Sequence, residues 1–347
     1  MERSETSPRT RGSRSALYPA RSVDRDHWTL ERRGPRNAVD PERPYSFLVD
    51  EEPDDSGRIV SVATIFLSNR ECPWRCVMCD LWRNTLPEST PAGAIPAQIE
   101  YALAELADAL PHPASSDSAN TCSRHIKLYN AGSFFDPRAI PPEDHLAIAD
   151  AVRSFDRIIV ESHPAMMGDA ALRFRDLLSS QLEVAMGLET AHPGVLEKLN
   201  KRLTLEQFRV AAEFLRRNEI ALRVFILVQP PFMLASESLH WVERSLDFAF
   251  DCGATAATLI PTRGGNGAME TLAASGNFTP PALATLEDAV DYGVALQRGR
   301  VFSDVWDLPR PIDCPDCRDA RVARLRVMNL SQAVAPRITC SVCGGRP

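Results

Sequence analysis

A chain of 347 residues with 44% hydrophobic and 24% charged content can bury a full α/β core, and its composition is ordinary for a globular protein. Its formal charge of −7 argues against a strongly basic surface that coats nucleic acid, while leaving room for a local basic patch. There is no run of about 18 apolar residues of the kind that spans a membrane, so no membrane partner is expected.

Residues 1–45 are rich in Arg, Pro and Ser and read as a disordered extension. They lack the apolar core of a secretory signal, and the acidic Glu2, Glu5 and Asp24 count against a transit peptide; the cytoplasm is the expected location. Residues 58–69 (RIVSVATIFLSN) form a β-branched apolar run that reads as a buried strand. Strand and helix signals then alternate. Strands are expected at 125–130, 157–161, 182–187, 221–228, 256–260 and 300–307. Helices are expected at 96–110, 142–155, 169–179, 193–200, 205–218, 238–252 and 280–298. About six βα units of this kind predict an α/β fold, a partial (βα)6-type open barrel spanning 46–308 with a small C-terminal metal-binding module at 309–347. A doubly wound sheet is the alternative, since periodicity does not show whether a sheet curls.

Seven of the nine cysteines fall into two tight groups, Cys72/Cys76/Cys79 and Cys314/Cys317/Cys340/Cys343. Such spacing chelates metal more often than it forms disulfides; the isolated Cys122 and Cys252 read as small buried hydrophobes. The first group, Glu71-Cys-Pro-Trp-Arg-Cys-Val-Met-Cys-Asp80, directly follows the first strand, where βα barrels place their active-site loops. Three thiolates on a four-iron cluster leave one iron open to bind a further ligand; a zinc site is the competing reading. Pro73 suits a wrapping loop, and Trp74 and Trp82 would either shield the cluster or simply pack. Cys314-Pro-Asp-Cys317 and Cys340-Ser-Val-Cys343 are two knuckles 22 residues apart, with Pro315 and Gly344 suited to their turns. They resemble a zinc ribbon, with zinc as the expected ion and an auxiliary iron–sulfur cluster as the alternative. Arg318, Arg321, Arg324 and Arg326 between the knuckles would form a solvated charged face or contact phosphates.

The C-x3-C-x2-C motif after the first barrel strand resembles the signature of the radical S-adenosylmethionine (SAM) superfamily. That resemblance implies a [4Fe-4S] cluster on Cys72, Cys76 and Cys79 whose open iron is chelated by the amino and carboxylate groups of SAM. It further implies reductive cleavage of SAM to methionine and a 5′-deoxyadenosyl radical that abstracts hydrogen, fed by an electron donor such as flavodoxin or ferredoxin. Asn130-Ala-Gly132-Ser133 stands where the superfamily contacts the SAM amino group, although it departs from the usual Gly-Gly-Glu. Met186-Gly-Leu-Glu189-Thr190, followed by Val195-Leu-Glu-Lys-Leu-Asn-Lys201, resembles the branch containing tRNA methylthiotransferases and the elongator catalytic subunit, in which the residues at the places of Glu189 and Lys201 bind SAM. Lys127-Leu-Tyr-Asn-Ala-Gly-Ser-Phe-Phe-Asp136 resembles the radical SAM subunit of archaeosine synthase. The substrate class implied is RNA or tRNA, with a small molecule or peptide as the alternative; the rival of another class is a non-catalytic zinc-binding adaptor. Met78 stands where an aromatic residue is common.

Three further places invite attention. Glu161, Ser162 and His163 end a strand at the expected barrel mouth, where side chains either react or cap a loop. Pro261-Thr-Arg-Gly-Gly-Asn-Gly267, with Arg263, reads as a flexible turn before an anion cradle. His192 reads as a neighbour of a helix cap, and Gln229-Pro-Pro231 as a turn.

Overall fold

The computed structural model describes residues 17–111, 123–306, 308 and 314–343. Residues 1–16, Cys122 and Gly344 lie outside them. One eight-stranded sheet runs in the order β1-β2-β3-β4-β5-β6-β7-β8. Strand β1 (Ser46–Pro53) pairs antiparallel with β2 (Ile59–Leu67). From β2 onward through β3 (Arg124–Asn130), β4 (Arg157–Glu161), β5 (Gln181–Glu189), β6 (Ala221–Val228), β7 (Ala256–Pro261) and β8 (Arg300–Ser303), every pairing is parallel. Seven parallel strands make six βα units, and the sheet curls into an open half-barrel, not the doubly wound alternative.

Helices α2 (Ala94–Glu105), α3 (His145–Ala151), α4 (Asp169–Leu177), α6 (Leu205–Arg217), α7 (Ala235–Asp251) and α9 (Leu283–Ala295) cover its outer face, while α5 (Pro193–Lys198) and α8 (Ala268–Ala274) pack in a second cluster with α1 (Ser22–Leu30), and α10 (Arg318–Ser331) follows the sheet. Alternation along the strands decides the faces. Ala63, Ile65 and Leu67 of β2 and Ile126 and Leu128 of β3 join the main core with Ile95 and Ile99 of α2. The start of α6 is set by a capping box in which Thr204 and Gln207 satisfy each other's backbone amides.

The other strand face turns into the half-barrel and carries charge near the N-terminal ends of the parallel strands. Glu183, fully buried, accepts from Arg157 (3.0 Å), Arg223 (2.7 Å) and Arg300 (3.3 Å). Glu52 of β1 accepts from Arg223 (2.8 Å) and pairs with Lys127. This ionic floor stitches β1, β3, β4, β5, β6 and β8 together, and it leaves the opposite, C-terminal strand ends as the mouth.

Two expectations change. The segment read as disordered up to residue 45 contains α1, whose Arg25 and Trp28 are buried; its apolar residues find their partners far along the chain, in a second cluster with Val77, Leu199 and Met269. The C-terminal module is no detached ribbon either. Its knuckles are joined by α10, which packs against β1 and β8 and puts Val322, Leu325 and Met328 into the main core. Arg321 and Arg324 are buried against Glu287 (2.5 and 3.5 Å), and Arg324 also reaches Asp291 (2.6 Å); they form neither a solvated face nor a phosphate grip, whereas Arg326 is exposed.

Candidate active site at the barrel mouth

The cysteine loop leaves β2 at Ser68. Gln98 of α2 bonds both the amide and the carbonyl of Ser68 (2.8 Å each), and the chain returns at Leu86, whose amide donates to Asn69 (2.9 Å). Between these anchors the loop backbone is tethered from several sides. The Val77 amide donates to Leu199 (3.0 Å). Asn200 Nδ2 donates to the Arg75 carbonyl (3.0 Å), and Asn266 Nδ2 to the carbonyls of Val77 (2.8 Å) and Cys79 (3.1 Å). The Gly-rich segment 261–267 thus serves the cysteine loop. Its Asn266 is a functional residue that the pattern of glycines did not disclose.

Burial pushes all three thiols up: Cys76 to about 12, Cys79 well above its ordinary value, and Cys72 less far. Thiolates in this half-buried loop call for a compensating cation, as iron would supply. Among the described residues, close packing of four sulfurs, all within 4.8 Å, occurs at Cys314/Cys317/Cys340/Cys343 and not at this triad. One tetrahedral zinc draws its thiolates to about 3.8 Å apart, which matches Cys314–Cys340 at 4.0 Å and Cys317–Cys343 at 3.7 Å. The triad suits a larger centre with an iron under each thiolate. The chemistry of the two donor sets therefore differs as their spacings do.

Around the loop the strand ends converge. Gly132 follows β3 with φ +133, a conformation L side chains avoid, and a Cβ there would overlap Cys72 Cβ; glycine is what lets the two loops touch. Of its neighbours, Ser133 is fully buried and shares a hydrogen bond with Ser162 (2.6 Å), so its hydroxyl serves the frame. Asn130 is different: both Oδ1 and Nδ2 are buried without a partner, a costly arrangement unless a ligand satisfies them. Glu189 ends β5 beyond a register shift and pairs with Lys201 (2.5 Å). Both are buried. The backbone around the pair is left-handed at Glu189 (φ 66), Asn200 (φ 60) and Arg202 (φ 58), strain of the kind that collects at functional sites. A Cβ at Gly187 would overlap both charged ends, so this glycine makes the room for the ion pair.

Glu161, at the end of β4, is pushed up to about 8, first by burial, then by the nearby Glu189 against the opposing pull of Lys201. It is a neutral acid at pH 7. His163 is lowered to about 3 by burial and by Lys201. Its Nδ1 accepts from the Ala165 amide (3.1 Å), so its Nε2 donates to the Lys201 carbonyl (3.1 Å). Its ring stacks on Trp74 at 3.6 Å and 12°, tying the cysteine loop to the segment that carries Lys201. Trp82 is buried. His192 caps α5 through Gly194 and Val195, and Arg263 pairs with Asp304 (2.6 Å). Cys252 is buried at the end of α7.

Proteins of known sequence and structure resemble this chain. The chain is 24% identical over 258 residues to the uncharacterized protein MJ0550 of Methanocaldococcus jannaschii, covering 72% of this chain and 68% of that one. It is 24% identical over 283 residues to archaeosine synthase subunit beta of Methanosarcina acetivorans, covering 78% of each. No family model matches. Among solved structures, the archaeal Elp3 of Methanocaldococcus infernus with an N-terminal deletion superposes with a TM-score of 0.50 at 13% identity, over 68% of this chain and 59% of that one. That likeness is one of fold, an open half-barrel of parallel strands. The present chain therefore spans somewhat under two thirds of the Elp3 chain, and what it shares with it is architecture. Among the described residues no helix is long and apolar enough to cross a membrane.

Proposed function

We propose that this chain is a radical SAM enzyme whose [4Fe-4S] cluster is held by Cys72, Cys76 and Cys79. The observation that supports this best is the combination, at one barrel mouth, of three half-buried thiols with an orphaned Asn130 and a buried Glu189–Lys201 pair. When bound, the cluster supplies the electron that splits SAM to methionine and a 5′-deoxyadenosyl radical. The chain's own residues bind and orient. Lys201 offers a cation to a carboxylate, Glu189 an anion to ribose hydroxyls or an ammonium, and the amide of Asn130 a polar contact beside Gly132. Glu161, neutral at pH 7, donates a hydrogen bond toward the same space. The C-terminal cysteines bind zinc in a structural role, as their tetrahedral spacing favours.

The substrate we favour is RNA, tRNA in particular, because a relative matched over 78% of the chain is an archaeosine synthase subunit. A small external electron donor of the flavodoxin or ferredoxin class would reduce the cluster. Anaerobic reconstitution with iron, sulfide, SAM and a strong reductant tests the reading. The wild-type chain is expected to form 5′-deoxyadenosine, and the Cys72→Ala/Cys76→Ala/Cys79→Ala variant to form none. Formation at the wild-type rate by that variant would refute the site.

A further inference from the structure

Resting on that reading of the triad, we infer that residues 17–37 are a positioning strap for the cluster loop, with Glu71 as its electrostatic hub. Glu71 immediately precedes Cys72, and its carboxylate is buried. It accepts from Arg33 (2.6 Å) and Arg36 (2.5 Å) of the strap and faces Arg75 of the loop at 3.1 Å. Arg75 in turn donates to the carbonyls of Cys72 (2.6 Å) and Trp74 (3.0 Å). One carboxylate thus joins a segment before the barrel to the backbone that carries the first cysteine.

The strap is fastened independently at its other end. Tyr18 donates to the Lys198 carbonyl (2.6 Å), and Arg25 to the Glu197 carbonyl (2.8 Å). Asp26 accepts from Asn200 (2.8 Å) and Arg202 (2.6 Å), the two residues flanking Lys201. Asn200 also donates to Arg75. Between the two ends, Trp28 packs with Val77 of the cysteine loop and Leu199. The strap therefore touches both the loop expected to hold the cluster and the turn that presents Lys201. Arg33 also lies over the face of Trp82 (4.8 Å).

Two consequences follow from this geometry. Loosening the hub frees the loop, so bound iron escapes faster. The hub also places charge of both signs beside Cys72, since Glu71 adjoins it in the chain and Arg75 donates to its carbonyl. Charge near an iron–sulfur cluster sets its potential, so removing the anion should move the potential upward and removing a cation should move it downward. A purely structural contact would not reverse sign with charge.

The test uses the full-length reconstituted chain with Glu71→Gln and, because that change leaves Arg33 buried without its partner, also Arg36→Met, which lies half-exposed. Loss of absorbance under excess chelator is expected to be about tenfold faster in either variant, the factor matching one lost charge-assisted hydrogen bond. The midpoint potential is expected to rise in E71Q and fall in R36M. In the metal-free chain, trypsin should cut after Arg32 or Arg33 faster in both variants than in wild type. Iron release at the wild-type rate together with potentials shifted in the same direction, or not at all, would overturn the strap. A wild-type chain that takes up no iron would overturn the parent reading instead, and the trypsin comparison would then decide whether Glu71 holds the strap.

Discussion

The Lys201–Glu189 pair yields the sharpest quantitative expectation. The two groups meet at 2.5 Å with side chains 11% and 10% exposed, and Lys201 is raised above its ordinary value, burial opposing its charge and Glu189 being the foremost group that favours it. Removing one partner of a buried pair strands the other charge, at a cost of about 3–5 kcal/mol, whereas replacing both by uncharged groups of similar size is close to neutral. Lys201→Met should therefore destabilise the metal-free chain by about 3 kcal/mol or more, and Lys201→Met/Glu189→Gln should recover most of that loss. Urea unfolding followed by circular dichroism measures both, with constant m as the check for two-state behaviour. The same two variants should fail to retain SAM in equilibrium dialysis of the reconstituted chain, since the site needs the charges and not merely the fold. If the single variant cost under about 1 kcal/mol, or the double variant cost as much as the single, the pair would not be the buried, mutually dependent unit described.

Other expectations follow from the same physics. Glu161→Gln tests the raised carboxyl: a group held at about 8 when folded and near 4.5 when free contributes its stability in full below pH 4.5 and loses it as pH rises to 8. The Gln variant should therefore gain on wild type across that window, by up to about 1.4 kcal/mol per pH unit, and stay level above it; a pH-independent difference in urea midpoints would contradict the assignment. Glu183→Gln should cost about 3–5 kcal/mol by uncoupling Arg157, Arg223 and Arg300, read by the same unfolding assay. Gly187→Ala should fold but bind SAM at least about tenfold more weakly, because its methyl group displaces the Glu189–Lys201 ends. Cys340→Ser should abolish stoichiometric zinc, while hydrogen exchange stays slow in α10, whose Leu325 and Met328 are anchored in the main core, and quickens in 332–343.

Much of the barrel was legible from local pattern. The seven parallel strands announce themselves because both faces are covered and β-branched residues crowd each run. What local pattern concealed was the inward charge. Lys127, Arg157, Glu183 and Arg223 interrupt those runs singly, and only the curl of the sheet brings Lys127 and Arg223 to Glu52 and Arg157 and Arg223 to Glu183. Strand β1 (SFLVDEEP) went unread because it carries three acids at an edge, two of which it exposes. Helix α1 looked like disordered chain because its partners, Val77, Leu199 and Met269, are distant in sequence, and α10 looked like a charged linker because two of its arginines are neutralised by Glu287 and Asp291. At the mouth, the cysteine spacing was plain, while Glu189 and Lys201 were reached through resemblance to other proteins. Nothing local marks Asn266 or Gly187, whose roles are close approaches between loops 189 residues apart or between a strand and two facing charges.

The central claim is that Cys72, Cys76 and Cys79 hold a cluster with one iron free to take SAM. Electron paramagnetic resonance of the chemically reduced protein, recorded with and without SAM in a Cys340→Ser background, tests it most directly. A cubane signal that changes on adding SAM, and that vanishes in Cys76→Ala, is the expected result. A signal indifferent to SAM, or one that survives loss of the triad, would contradict it.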